Sequence, residues 1–165
     1  MRNDNNISRR AILAAAGALP LLMSTAGWGH AETLPLVSVT KDPSCGCCDG
    51  WIAHIEDAGF PVRVVESTDM DSFKQRLGVP AELASCHTAE VGGYVVEGHV
   101  PVEAIEKMLS ERPAITGIAV PEMPTGSPGM EIPMMKPEPF KVIAFSQMGS
   151  SETFMDYPNG FIAGR

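Results

Sequence analysis

Three of the four cysteines in this 165-residue chain fall within four residues, Cys45-Gly46-Cys47-Cys48. What flanks them restricts the fold. Upstream, Leu34 to Thr40 is a short, β-rich apolar run stopped by Lys41-Asp42-Pro43-Ser44. Downstream, Cys48, Trp51, Ile52 and Ile55 recur at helical spacing, with Gly59 available as a C-cap. A strand therefore feeds a loop that opens a helix over about Cys47 to Ala58. The thiols sit at that junction.

The same reading extends along the chain. Phe60 to Glu66 alternates as a strand, and Ser67-Thr68-Asp69 offers N-caps for a helix over Met70–Leu77, closed by Gly78 and Pro80. Ala81 to Val91 has a helical or looped start and a strand-like end, Gly92-Gly93 marks a turn, and Tyr94–Glu97 is a further strand. Gly98-His99 is a turn, and Pro101 suits the first turn of a helix over Val102–Ser110. The order β-α-β-α-β-β-α, with an i, i+3 cysteine pair where the first strand meets the first helix, predicts a thioredoxin-like α/β domain. An extension begins at about residue 113. It holds a short strand at Ile115–Val120, a Met/Pro/Gly loop from Pro121 to Pro137, and closing strands at Phe140–Phe145 and Glu152–Met155. An irregular loop of that length is usually functional or disordered, and its composition favours function.

The N-terminus reads as an export signal. Ser8-Arg9-Arg10 precedes an apolar run from Ala11 to about Ala26, and Gly29-His30-Ala31 places small residues at −3 and −1. This is a signal peptide of the twin-arginine type over residues 1–31, with 32–165 as a single domain. A membrane anchor fits less well, because Pro20 and several Ala and Gly interrupt a run shorter than the roughly 18 to 20 apolar residues of a spanning helix. The expected location is a periplasm, with no membrane span after processing. There, exposed thiols tend toward disulfides unless a metal or reductant holds them. With 12 Lys+Arg against 20 Asp+Glu, the chain lacks the clustered cations of a nucleic-acid binder. Most of the carboxylates read as a solvated exterior. No Ser-His-Asp set, phosphate-binding Gly-rich loop or paired-carboxylate site supports hydrolase chemistry.

A helix starting near Cys47 should lower one or more thiol pKa values, and thiolates are both nucleophiles and metal ligands. Cys45 and Cys48 alone would suit disulfide exchange. Cys47 tilts the balance, since an extra adjacent thiol invites misoxidation of a dithiol enzyme but adds a ligand to a soft-metal site. In a thioredoxin-like fold the segment entering the third strand packs opposite the start of the first helix, so Cys86 is expected to converge on the triplet. The donor set Cys45, Cys47, Cys48 and Cys86 suits Cu(I), one ion or more with bridging thiolates. Blander readings are a buried Cys86, a plain structural disulfide within the triplet, or structural zinc, which C-x-C-C fits poorly. His87 and His99 are candidate ligands or supporting donors, although a lone histidine is more often a surface or satisfied core residue. Met123, Met130, Met134 and Met135 bring thioethers to the loop, where they could bind or guide Cu(I) or simply fill gaps.

K-D-P-S-C-G-C-C-D-G-W at 41–51, S-C-H-T-A-E-V-G-G-Y-V-V-E-G-H-V-P at 85–101 and I-A-V-P-E-M-P-T-G-S-P-G-M-E at 118–131 resemble domain-of-unknown-function family 411, which includes CopG-type periplasmic copper-resistance proteins. The resemblance spans about residues 35–157. It implies a thioredoxin-like fold that binds copper through cysteines, here Cys45, Cys47, Cys48 and Cys86, with other periplasmic copper carriers or exporters as candidate partners. It does not decide between a copper carrier and a thiol-disulfide or copper oxidoreductase using Cys45 and Cys48, and a structural domain with an incidental disulfide stays as a third reading.

Overall fold

A computed structural model describes residues 33–161; the signal peptide expected at 1–31 lies outside the described residues. The chain forms β1 (Val37–Lys41), α1 (Gly46–Asp57), β2 (Val62–Glu66) and α2 (Met70–Arg76), then a single 3-10 turn at Ala81–Leu83. It continues through β3 (His87–Val91), β4 (Tyr94–Glu97), α3 (Val102–Glu111), β5 (Gly117–Ala119), β6 (Phe140–Phe145) and β7 (Ser151–Tyr157). The result is a mixed α/β structure with one seven-stranded sheet, ordered β2-β1-β3-β4-β5-β6-β7, and three α-helices among the described residues. The expected sequence of elements is present in this order, with the extension adding three strands to one edge.

β1 runs parallel to β2, Val39 beside Val64, and antiparallel to β3, Val39 opposite Ala89. β3 and β4 form a hairpin across the Gly92-Gly93 turn, and α3 is the crossover that returns the chain to β5, parallel to β4. The last three strands are antiparallel, with a bulge between Val142 and Ile143. β7 is longer than the sequence pattern indicated, because its register with β6 carries Tyr157 opposite Phe140 and stacks the two rings 4.7 Å apart. Local signals account for most ends. Asp69 caps α2 by accepting the Ser72 N–H at 3.2 Å, and Gly59 takes the left-handed conformation after α1. α3 ends instead on Arg112 at φ 50°, a cap that the sequence pattern did not single out.

The core lies between the sheet and the apolar stripe of α1. Cys48, Trp51, Ile52 and Ile55 are all buried, which is the i, i+3, i+4, i+7 spacing read from the sequence. Trp51, Ile52 and Ile55 pack with Val37, Val39, Ala89, Val96, Ile105, Met108 and Ile118. Each fully buried aliphatic side chain contributes roughly 1.5–3 kcal/mol. Trp51 also needs a partner for its indole N–H, and it donates to the Val100 carbonyl at 2.8 Å.

The loop between β5 and β6 has no helix or strand, yet it closes on itself through Ser127 N–H to Pro124 O, Met130 N–H to Ser127 O and Gly126 N–H to Met130 O. Its tip touches the first turns of α1 backbone to backbone. A methyl group added at Gly129, which sits at φ 82°, would lie 2.4 Å from the Trp51 nitrogen, and one added at Gly50 would lie 2.9 Å from the Gly129 Cα. Gly129→Ala is therefore expected to lose at least about 1–2 kcal/mol in urea denaturation, from the left-handed backbone alone. Gly46→Ala, whose new methyl would meet nothing within 4 Å, is the matched control and should change stability little.

Candidate metal centre

The turn between β1 and α1 is built by Asp42. Its carboxylate accepts the Ser44 N–H at 2.8 Å and its carbonyl accepts the Cys45 N–H at 3.0 Å, so the chain reverses and delivers Cys45 as the residue preceding α1. Lys41 reaches across, donating to the Cys45 carbonyl at 3.2 Å and pairing with Asp49 at 2.8 Å. Cys47 and Cys48 then follow in the first turn of the helix. Cys45 and Cys48 are joined as a disulfide, with Cα atoms 5.6 Å apart, while Cys47 and Cys86 are free.

The fourth cysteine arrives from the other side. Cys86 ends the stretch after the 3-10 turn, and the sheet register places it beside the triplet: the Sγ atoms of Cys45, Cys47, Cys48 and Cys86 all lie within 4.8 Å of one another. Cys86 thus converges on the triplet, as expected. Met123, from the loop, brings its Sδ to 3.9 Å from the Cys47 Sγ. Met130 is half-buried, whereas Met134 and Met135 are exposed to solvent.

Both candidate histidines are fully buried beside the cluster. His99 Nε2 lies 3.0 Å from the Cys86 Sγ, and His87 Nδ1 lies 3.3 Å from it. The other nitrogen of His99 faces the Pro128 carbonyl at 2.8 Å. A carbonyl can only accept, so Nδ1 carries the proton and Nε2 offers a lone pair toward the thiol. This is the arrangement in which a histidine ligand is oriented by a backbone acceptor. Cys86, His87 and His99 form a second group able to share an ion, overlapping the cysteine set at Cys86. The ring of His87 packs 4.4 Å from that of Trp51, and its Nε2 is buried with no hydrogen-bond partner. The adjacency of Cys86 and His87 was the available signal; that His99 reaches the same sulfur depends on the β3–β4 pairing.

Two further residues gave no signal at all. Glu97, read among the solvated carboxylates, is completely buried, and its carboxylate accepts from Lys74 Nζ at 2.5 Å and Thr88 Oγ1 at 2.6 Å. It is the exception to the exterior expected of the acidic residues. His54, from the middle of α1, instead pairs with Glu131 of the loop at 2.7 Å.

The electrostatics fit a neutral resting site. Burial, reinforced by the neighbouring Cys47, pushes the Cys86 thiol up to about 12, so it stays protonated near neutral pH and an incoming cation must displace its proton. Burial likewise holds both imidazoles below the ordinary histidine range, His87 well below it with His99 and Lys74 adding to the effect. Four sulfurs, two imidazoles and a thioether make a donor set suited to a soft or borderline cation. Because burial holds His87 well below the ordinary histidine range and His99 below it, while both charge in the unfolded chain below about pH 6.5, their contribution to the unfolding free energy of the metal-free protein should be constant well above that pH. It should fall toward about pH 5, by up to about 1.4 kcal/mol per pH unit for His87 and by less for His99. Urea denaturation across this range checks it; His87→Phe should show a shallower fall, and an equally steep one would count against the assignment.

A family model described as "Protein of unknown function, DUF411" matches residues 83–130, the stretch that carries Cys86, His87, His99 and Met123. Two solved structures described as "Copper resistance protein copG", Form 1 and Form 2, are each 42% identical to this chain over 76% of its length. The match covers 98% and 99% of their chains, with TM-scores of 0.71 and 0.72. No match is found among the curated proteins. Among the described residues no helix is long and apolar enough to cross a membrane. Three separated motifs, the sheet that brings them together and near-complete coverage of these structures agree: the chain belongs to the DUF411 family, of CopG type.

Proposed function

We propose that this protein is an exported copper-handling protein that binds Cu(I), one ion or more, through Cys45, Cys47, Cys48 and Cys86. The observation that carries the reading is the meeting of four cysteine sulfurs within 4.8 Å, drawn from two segments far apart in sequence. Similarity to structures described as copper resistance proteins supplies the metal. The leader read at residues 1–31 supplies the compartment, a periplasm reached by the twin-arginine route, and the element order supports a thioredoxin-like core. His99 and Met123 are placed to add to the sulfur set.

The site handles copper as cargo. With the Cys45–Cys48 disulfide closed, Cys47 and Cys86 are the available thiols; two electrons and two protons from a dithiol reductant open it and double the number of sulfur ligands. Each thiol that binds the ion gives up its proton to solvent, and the unprotonated Nε2 of His99 keeps its lone pair facing Cys86. Trp51, Cys48 and the loop tip keep the inner side of the cluster dry.

A second reading, thiol-disulfide or copper oxidoreductase, is favoured by that same disulfide at a helix N-terminus. The two separate experimentally. Anaerobic addition of Cu(I) to the reduced protein, followed by desalting and metal analysis, should give at least about one tightly held ion per chain. Replacement of Cys45, Cys47 and Cys48 together by Ser should lower the amount of tightly bound copper, leaving at most what Cys86, His87 and His99 hold, and an unchanged stoichiometry would overturn the proposal. Disulfide reductase activity on insulin that survives Cys47→Ala and Cys86→Ala but not Cys45→Ala would favour the enzyme.

A further inference from the structure

The stretch that carries Cys86 has no ladder to hold it. Ala84, Ser85 and Cys86 lie between the 3-10 turn and the first residue of β3, outside any regular element. Besides the Ser85 hydroxyl, which donates to the Glu122 carbonyl at 2.7 Å, what fixes them is the tripeptide Glu97-Gly98-His99, tied in turn to Ser85, His87 and Cys86. Ser85 donates its backbone N–H to Glu97 Oε1 at 2.6 Å; Gly98 donates its own to the His87 carbonyl at 3.0 Å; His99 Nε2 meets the Cys86 Sγ at 3.0 Å. Gly98 sits at φ 73°, and a methyl group there would lie 2.6 Å from the Ser85 Cβ, so the two strips pack as closely as backbone allows.

Of these ties, the one from Glu97 is the most costly to build. Its carboxylate is fully buried and is fixed by Lys74 Nζ and Thr88 Oγ1, while Lys74 is itself buried and also donates to Thr88 at 2.8 Å. A buried ion pair is a poor stability device, since well-packed apolar residues of similar volume do as well or better. Apolar residues cannot accept the Ser85 N–H. That is the function the expense secures.

We infer that Glu97 is a positioning residue for the Cys86 thiol, with Lys74 and Thr88 holding its carboxylate against the backbone of Ser85. The inference builds on the copper reading but can be tested apart from it. Lys74→Met/Glu97→Leu removes both charges and the acceptor; Lys74→Met/Glu97→Gln removes the charges and keeps an acceptor oxygen for Ser85. In the metal-free protein with its disulfide intact, iodoacetamide labelling read by mass spectrometry should show Cys86 reacting about tenfold faster in the Leu pair, the scale on which outer partners of ligands act. Cys47 should react at its wild-type rate in both, and Cys86 should return close to its wild-type rate in the Gln pair. Cys86 unchanged in the Leu pair, or equally faster in both pairs, would overturn the inference. Should the Leu pair fail to fold, as judged by its thermal melt, Glu97→Asp keeps the charge and shortens the reach; faster Cys86 labelling supports the inference and an unchanged rate overturns it. In Cu(I) competition titrations the Leu pair should bind about tenfold more weakly. Introduced into a Cys86→Ser background, it should change nothing further, and an equal loss there would mark a general structural effect. If the wild-type protein takes up no Cu(I), the copper reading falls, and the labelling result still decides the role of Glu97.

Discussion

Trp51 is the point on which the rest of the structure turns. Its indole is wholly buried, its N–H is held by the Val100 carbonyl, its ring lies against His87, and its backbone nitrogen is met by Gly129 of the loop. One residue on α1 thereby sets the distance to the start of β3 and to the turn before α3 through its side chain, and to the tip of the extension through its backbone. Those three segments are also the ones that bring Cys86, His99 and Met123 toward the cysteine turn. Packing of one aromatic residue against the sheet and assembly of the sulfur cluster are therefore the same event. The large area that tryptophan removes from water supplies the driving force, while its single N–H supplies the orientation.

Around that anchor the chain tolerates an unusual amount of buried polarity. His87, His99, Glu97, Thr88 and Lys74 are all withdrawn from solvent on or beside β3 and β4, and the His87 Nε2 is left without a partner. Buried polar groups are destabilising unless satisfied, and their concentration at the ends of β3 and β4 next to Cys86, His87 on one face of the sheet and Thr88 with Glu97 on the other, is a mark of a site rather than of a scaffold. The far half of the sheet, β5 to β7, is built differently: alternating apolar residues, a ring stack and a bulge, with little polar burial. It extends the sheet and returns the loop to the cluster.

How much of this could be read in the residues varies with the range of the interaction. The β1-turn-α1 unit was legible because its determinants are local: an apolar run, an Asp-Pro-Ser turn, then a 3.6-residue stripe. The cysteine triplet was legible for the same reason. Cys86 could be placed only through an assumed fold, and the structure puts its sulfur among the other three. His99 was undecided, because nothing near Gly98-His99 shows that a hairpin register will carry its ring to a sulfur thirteen residues earlier. Glu97 was not singled out at all. In Tyr94-Val-Val-Glu97 an acidic residue at a strand end carries no local sign of burial, and the lysine that buries with it comes from α2.

The sequence by itself determined the unit of three thiols at a helix start, the alternation of strands and helices, and the presence of an irregular loop rich in methionine. These depend on contacts between neighbours in the chain, where spacing alone decides which side chains share a face. Tertiary structure decided the rest: that the fourth sulfur is capped by two imidazoles, that Met123 rather than Met134 or Met135 reaches a thiol, and that a buried lysine and glutamate hold the backbone next to Cys86. Each of those is a contact between residues distant in sequence, fixed by strand register and by the seating of Trp51. No local pattern encodes them.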